Sequence, residues 1–171
     1  MATLHLICGL PSAGKTTYSA SLADTTTGVH FALDHWLITA FGPYAIDVVG
    51  NDEHVRRVIA CRKLIWSVAE ELLPRNIDVI LDDGFFLRAH RLHYAALAEK
   101  IDSDVTVHFV NTSADIIEAR LKKRNQALPQ DNFKIGPSLL LEYSRWFEAP
   151  STDEGLRIVE TNSDSDGNST A

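Results

Sequence analysis

At 171 residues the chain has the length of one domain, and its 45% apolar share suffices for a packed core. The formal net charge of −7 excludes a surface that is basic throughout, which disfavours nucleic acid as a partner. No stretch approaches the roughly 20 apolar residues of a membrane span, so no membrane contact is expected. The first residues read as a strand rather than a signal peptide, and the expected location is cytoplasmic. Cys8 and Cys61 stand at no metal-ligand spacing and read as buried thiols of a reducing compartment.

In chain order, residues 3–8 form a short apolar run ended by Gly9, which predicts a buried strand. A helix is expected from Gly14 or Lys15 to about Ala23, then a Thr-rich loop, Asp24 to Gly28, and a second strand, Val29 to Leu33. Trp36 to Val49 reads as an irregular aromatic piece broken at Gly42-Pro43. Asn51-Asp52-Glu53 has the chemistry of a helix start. Val55, Val58, Ile59, Ile65, Val68, Ala69 and Leu72 then recur at helical spacing up to Pro74.

Ile77 to Leu81 predicts a third strand leading into Asp82-Asp83-Gly84, followed by a helix from about Arg88 to Lys100. Val105 to Val110 predicts a fourth strand, and Thr112 or Ser113 caps a helix to about Arg124. Gln126 to Lys134, with Pro129, reads as a loop, and Gly136-Pro137-Ser138 opens a helix to about Phe147. Leu156 to Val159 predicts a fifth strand, and the small polar tail 163–171 is expected to be disordered. Strands alternating with helices imply a parallel sheet covered on both faces, with ligands outside the carboxyl ends of its strands. Gly9, Asp34 and Asp82/Asp83 follow three of those ends and should converge.

Residues 9–16, GLPSAGKT, match G-x-x-x-x-G-K-[ST] between a predicted strand and a predicted helix. Gly9 and Gly14 let the backbone turn its N–H groups inward, with Pro11, Ser12, Ala13 and Thr17 in the same loop and helix start. Lys15 supplies a charge for the β- and γ-phosphates and Thr16 a hydroxyl for Mg²⁺. ATP is therefore the expected nucleotide, favoured over GTP because no guanine-binding signature is present. Asp34 is either a general base for an attacking hydroxyl or a cap for the next segment. One of Asp82 and Asp83 is expected to face a metal, with Asp82 the metal-side candidate and Asp83 nearer substrate; the alternative is a plain turn. Arg120 and Arg124 share a helix face beside a lid-like loop and either steady a transferring phosphoryl group or face solvent. Arg88 and Arg91 either bind a polar or anionic substrate or make surface salt bridges. His35 abuts Asp34, and His90 and His93 read as surface residues.

Lys15-Thr16, Asp34, VILDD (79–83), Arg88/Arg91 and ARLKKRN (119–125) stand in an order that resembles the P-loop kinase superfamily. The resemblance is to the kinase domain of polynucleotide kinases and equally to zeta toxins and chloramphenicol phosphotransferase, and it runs from Leu4 to about Phe147. It implies a three-layer α/β/α fold with a five-stranded parallel sheet over residues 1–162 and a short lid at about 125–136. It also implies Asp34 as general base, Arg124 with Arg120 as lid arginines, and Asp83 near substrate or metal. One departure stands out: polynucleotide kinases carry an arginine a turn after the base, where this chain reads Asp34-His35-Trp36-Leu37-Ile38. The expected function is transfer of the γ-phosphoryl of ATP·Mg²⁺ to a hydroxyl of a small molecule or nucleotide. A 5′-hydroxyl polynucleotide kinase and a nucleotide-dependent switch are the alternatives.

Overall fold

The computed structural model describes residues 1–128 and 132–163. Five strands, β1 (Thr3–Cys8), β2 (Val29–Ala32), β3 (Val79–Gly84), β4 (Asp104–Asn111) and β5 (Arg157–Asn162), lie in the order β2-β3-β1-β4-β5, every neighbouring pair parallel. The helices are α1 (Lys15–Thr26), α2 (Leu33–Phe41), α3 (Ile46–Val49), α4 (Asn51–Leu72), α5 (Arg88–Glu99), α6 (Ala114–Gln126) and α7 (Pro137–Trp146). No helix among the described residues is long and apolar enough to cross a membrane.

Strand periodicity divides the core. On central β1, Leu4, Leu6 and Cys8 point to one face and join Leu37, Cys61, Ile65, Tyr94 and Ala98 from α2, α4 and α5. Ile7 points to the other face and joins Ile117, Leu121 and Leu140 from α6 and α7. Both faces of the sheet are thus covered, which is why β1 reads as a continuous apolar run. The exception is His5, whose Nδ1 lies 2.9 Å from His108 Nε2. The other nitrogen of His108 is 2.7 Å from the Tyr18 hydroxyl on α1, while His5 Nε2 lies 3.7 Å from Asp78 Oδ2.

The structure corrects four expected boundaries. The first helix runs on through the Thr-rich stretch to Thr26, where Thr25 and Thr26 hydroxyls bond back to Leu22 O at 2.9 and 2.8 Å. Trp36 to Val49 is mostly helical: Leu33 and Leu37, four apart, are buried one turn above the other, and Gly42 ends α2. β2 therefore stops at Ala32, and Asp34 lies in the first turn of α2, whose N-cap is Ala32. β3 extends to Gly84, so Asp82 and Asp83 belong to a strand rather than a turn, with Asp82 paired beside Ile7. Between α6 and α7 the described residues of the expected lid form no regular element. Phe133 is nonetheless buried, its ring 4.8 Å from that of Tyr44 and 5.7 Å from that of His54. Pro129 and the tail beyond Ser163 lie outside the described residues.

Candidate active site

The carboxyl ends of β1, β2 and β3 open on one cavity of about 1060 Å³. Its floor is the loop from β1 to α1. Gly9 is required there: a Cβ would lie 2.7 Å from Val110 O, against the backbone of β4. Gly14, at φ +102°, and Ser12, at φ +64°, turn the chain through the left-handed region before α1 starts. The loop is braced from outside by the Thr112 hydroxyl and Arg120 Nη1, which donate to Ala13 O at 2.9 and 3.3 Å. α1 has no side-chain cap and no acid in its first turn, so its amino end keeps its positive field.

Lys15 Nζ donates to Leu10 O at 2.9 Å. Burial pulls its pKa down, against the opposing fields of Asp82 and Asp34. Thr16 Oγ1 donates to Asp82 Oδ2 at 2.8 Å, which joins the first turn of α1 to β3. Burial works to raise the Asp82 pKa, but His30, Lys15 and Thr16 outweigh it, so the carboxyl stays below the usual range and ionised. Asp34 behaves in the opposite way. Its surroundings strip water from the carboxylate and push its pKa up to about 6, with Lys15 and Arg124 opposing and Asp82 and Asp83 reinforcing. It remains reachable through the open cavity.

Arg124 comes from the last turn of α6. Its Nη1 is 3.5 Å from Asn132 Oδ1, while Nε and Nη2 are buried without a partner among the described residues, as is Ser12 Oγ in the loop below. Unpaired buried donors are rare and call for an acceptor. A phosphate group over the loop would satisfy them, so the donor set fits a nucleotide. Thr16 and Asp82 fit a Mg²⁺ ion of the sort that takes one or two protein oxygens and otherwise binds water and phosphate. No cluster of three or more His, Cys, Asp or Glu among the described residues would make an all-protein metal cage.

Of the residues expected to act, Pro11, Ser12, Gly14, Lys15, Thr16, Thr17, Asp34, His35, Asp82, Asp83, Arg120 and Arg124 line this cavity. Gly9 and Ala13 shape the loop beneath it. Arg88 and Arg91 do not line this cavity; of their two expected readings, substrate binding and salt bridging, the structure gives ion pairs, that of Arg91 buried rather than on the surface. Arg91 is fully buried, and its guanidinium is bonded to the Glu154 carboxylate and to Phe85 O and Glu148 O, the last two at 2.9 Å. Arg88 Nη1 donates to Asp153 Oδ2 at 2.6 Å, and its backbone N–H donates to Glu148 Oε2 at 2.6 Å. Both arginines fasten α5 to the segment between α7 and β5.

Sequence reasoning missed Arg62. From α4 it grips Asp83 with two bonds, Nε to Oδ2 at 2.6 Å and Nη2 to Oδ1 at 2.8 Å, inside the cavity. Val55, Val58 and Ile59, legible in the sequence only as part of a helical repeat, line the same cavity, Val55 44% and Ile59 46% exposed. The signal was present: Val55, Val58, Ile59 and Arg62 follow i, i+3, i+4, i+7, so one helical stripe carries both the apolar wall and the arginine. His90 likewise faces the cavity rather than bulk solvent.

A parallel sheet in this order, with a P-loop leaving its central strand and carboxylates at the neighbouring strand ends, defines an α/β fold of the P-loop NTPase type. A family model described as an AAA domain matches residues 4–150, and the chain belongs to that family. A comparison with curated proteins finds no match. Among solved structures, a protein of Chloroflexus aurantiacus J-10-fl provisionally described as a kinase superposes with a TM-score of 0.76 at 16% identity, over 96% of this chain and 89% of that one. Kti12 of Chaetomium thermophilum, in complex with ADP-AlF3, gives 0.70 at 16% identity, over 96% of this chain and 91% of its own. A gluconokinase from Sinorhizobium meliloti 1021 gives 0.58 at 15% identity, over 94% and 82%. At these identities the likeness is one of fold.

Proposed function

We propose that this protein is a kinase that moves the γ-phosphoryl group of ATP to a hydroxyl of a small molecule. The observation that carries the reading is the placement of Asp34, a carboxylate with its pKa pushed up to about 6, on the same cavity as Lys15 and the partnerless donors of Arg124. Asp34 accepts the proton of the acceptor hydroxyl as its oxygen bonds to phosphorus. The bond from the γ-phosphorus to the bridging oxygen breaks, and ADP leaves with the electron pair. Lys15 and the amino end of α1 hold the phosphates, and Arg124 donates to the oxygens on which charge develops. Mg²⁺, when bound, would neutralise charge on the phosphates, and Thr16 and Asp82 are the residues that would hold it. Arg120, whose Nη1 and Nη2 are bonded to Ser163 at 3.0 and 2.7 Å, braces the loop and supports binding.

A base with a pKa near 6 is charged at neutral pH yet close enough to accept a proton usefully. The test is transfer of label from γ-labelled ATP to a panel of hydroxyl compounds, with wild type and Asp34→Asn side by side. Label on an acceptor, lost in the variant while ATP still binds, is the expected result. Hydrolysis to free phosphate with every acceptor unlabelled would count against it.

A further inference from the structure

Beside Asp34, the cavity has apolar walls and one closed ion pair, Arg62 with Asp83. Of the lysines and arginines that line the cavity among the described residues, Lys15, Arg120 and Arg124 serve the phosphate-loop end. Arg62 is the remaining one, and Asp83 neutralises it through two hydrogen bonds. The same cavity is lined by Leu37, Ile46, Val55, Val58, Ile59 and Phe133. Val55 and Ile59 line it and are nearly half exposed, apolar area that a ligand's apolar body can cover.

Each oxygen of Asp83 accepts one hydrogen bond from Arg62, which leaves each a lone pair free to accept another. Asp83 is therefore an acceptor held in fixed orientation, suited to a hydroxyl or N–H on the substrate. An anionic group would be placed beside Asp83 with no cation released to meet it, an unfavourable burial of charge. Building on the kinase reading, we infer that the phosphoryl acceptor is an uncharged, largely apolar alcohol. A hydrogen-bond donor on that alcohol is directed at Asp83, and Arg62 acts as the positioning residue behind it. The same balance argues against nucleotide and polynucleotide acceptors, whose own phosphates need a free cation.

Three probes separate the alternatives: phenoxypropanediol, its para-carboxylate, and glycerol. Binding is measured by calorimetry on the full chain with a non-hydrolysable ATP analogue, and transfer is measured with labelled ATP. The neutral aryl diol should bind at least about tenfold more tightly than the carboxylate, which lacks a counter-charge, and than glycerol, which lacks the apolar body. Equal or tighter binding of the carboxylate or of glycerol, or no binding of the aryl diol, would overturn the inference. Binding in the expected order without transfer would overturn the kinase reading and leave the pocket assignment standing; transfer in the opposite order would do the reverse. Asp83→Asn supplies a readout that a merely structural role would not move. It frees Arg62, so the preference between neutral and carboxylate diols should narrow or invert, and Arg62→Met added to it should abolish the carboxylate's gain. Equal weakening of both diols in Asp83→Asn would remove Asp83 from specificity. Should that variant not fold, the wild-type series decides alone.

Discussion

Asp34 is subject to two opposing demands. Desolvation favours its protonated form, while the charges of Lys15 and Arg124 favour the carboxylate. As a base it works only when ionised, so kcat should rise about tenfold per pH unit up to its pKa near 6 and level off above it. Asp34→Asn should flatten that limb and cut transfer by about 10²–10⁴-fold with ATP affinity nearly intact; full activity in the variant would make Asp34 a structural residue. Arg124→Ala should lower kcat by about 10²-fold or more while ATP affinity changes little, because its orphan donors await charge that grows during transfer. Steady-state kinetics beside ATP titration check this, and equal losses in both would make it a binding residue. Lys15→Ala should remove nucleotide binding itself.

At the scale of elements, α5 is fastened to the segment that precedes β5 by a buried ion pair. Arg91 and Glu154 are both nearly inaccessible, and Glu154 also accepts from the Ser151 backbone N–H at 3.1 Å and so shapes the turn that leads to β5. Removing one partner strands the other charge. Arg91→Met should therefore lower stability by about 3–5 kcal/mol, read by urea denaturation, while kcat per folded molecule holds. Loss of acceptor binding in soluble, folded Arg91→Met would return that residue to the site. The segment between α6 and α7 is held by Phe133 against Tyr44 and His54, and by Asn125 Nδ2, which donates to Ile135 O at 2.7 Å. That contact joins one wall of the cavity to the α3–α4 region, so Phe133→Ala should raise acceptor KM more than it lowers kcat.

At the scale of the whole molecule, acid stability is a contest between groups that titrate in overlapping windows. His108 is buried neutral with its pKa pushed down to about 4, and burial likewise lowers His5, His54 and His90. A depressed histidine binds its proton more readily when unfolded, so its contribution is present above about 6.5 and is lost as pH falls toward 4. Asp34 has the opposite sign: its folded pKa is raised, so its contribution is complete below about 3.8 and is lost as pH rises through about 6. The histidines outnumber it, and the nucleotide-free protein should lose stability on acidification from pH 6.5. Asp34→Asn, which lacks the offset, should be more stable than wild type near pH 7 and show the steeper acid decline. Thermal melts across pH test both statements, and parallel curves for the two proteins would refute the assigned sign. Water reaching Asp34 through the open cavity limits the size of the effect.

The alternation of apolar runs with helical patterns was enough to foresee a five-stranded parallel sheet, because strand and helix periods are local properties of the chain. The phosphate-binding loop was equally legible, since glycine at Gly9 and Gly14 and lysine at Lys15 answer to backbone geometry within a few residues. What tertiary structure alone decided is which side chains meet across long separations. Arg62 and Asp83 are 21 positions apart, and Arg91 and Glu154 are 63 apart. An arginine has the same sequence appearance whether it faces a ligand or a buried carboxylate. For Arg88 and Arg91 the packing of α5 against the α7–β5 connection settled the matter, and for Arg62 the rotation of α4 over the mouth of the sheet did. The same rotation set Val55 and Ile59 on the cavity wall, which the sequence could not show, because helical periodicity reports that a face is apolar and not what covers it.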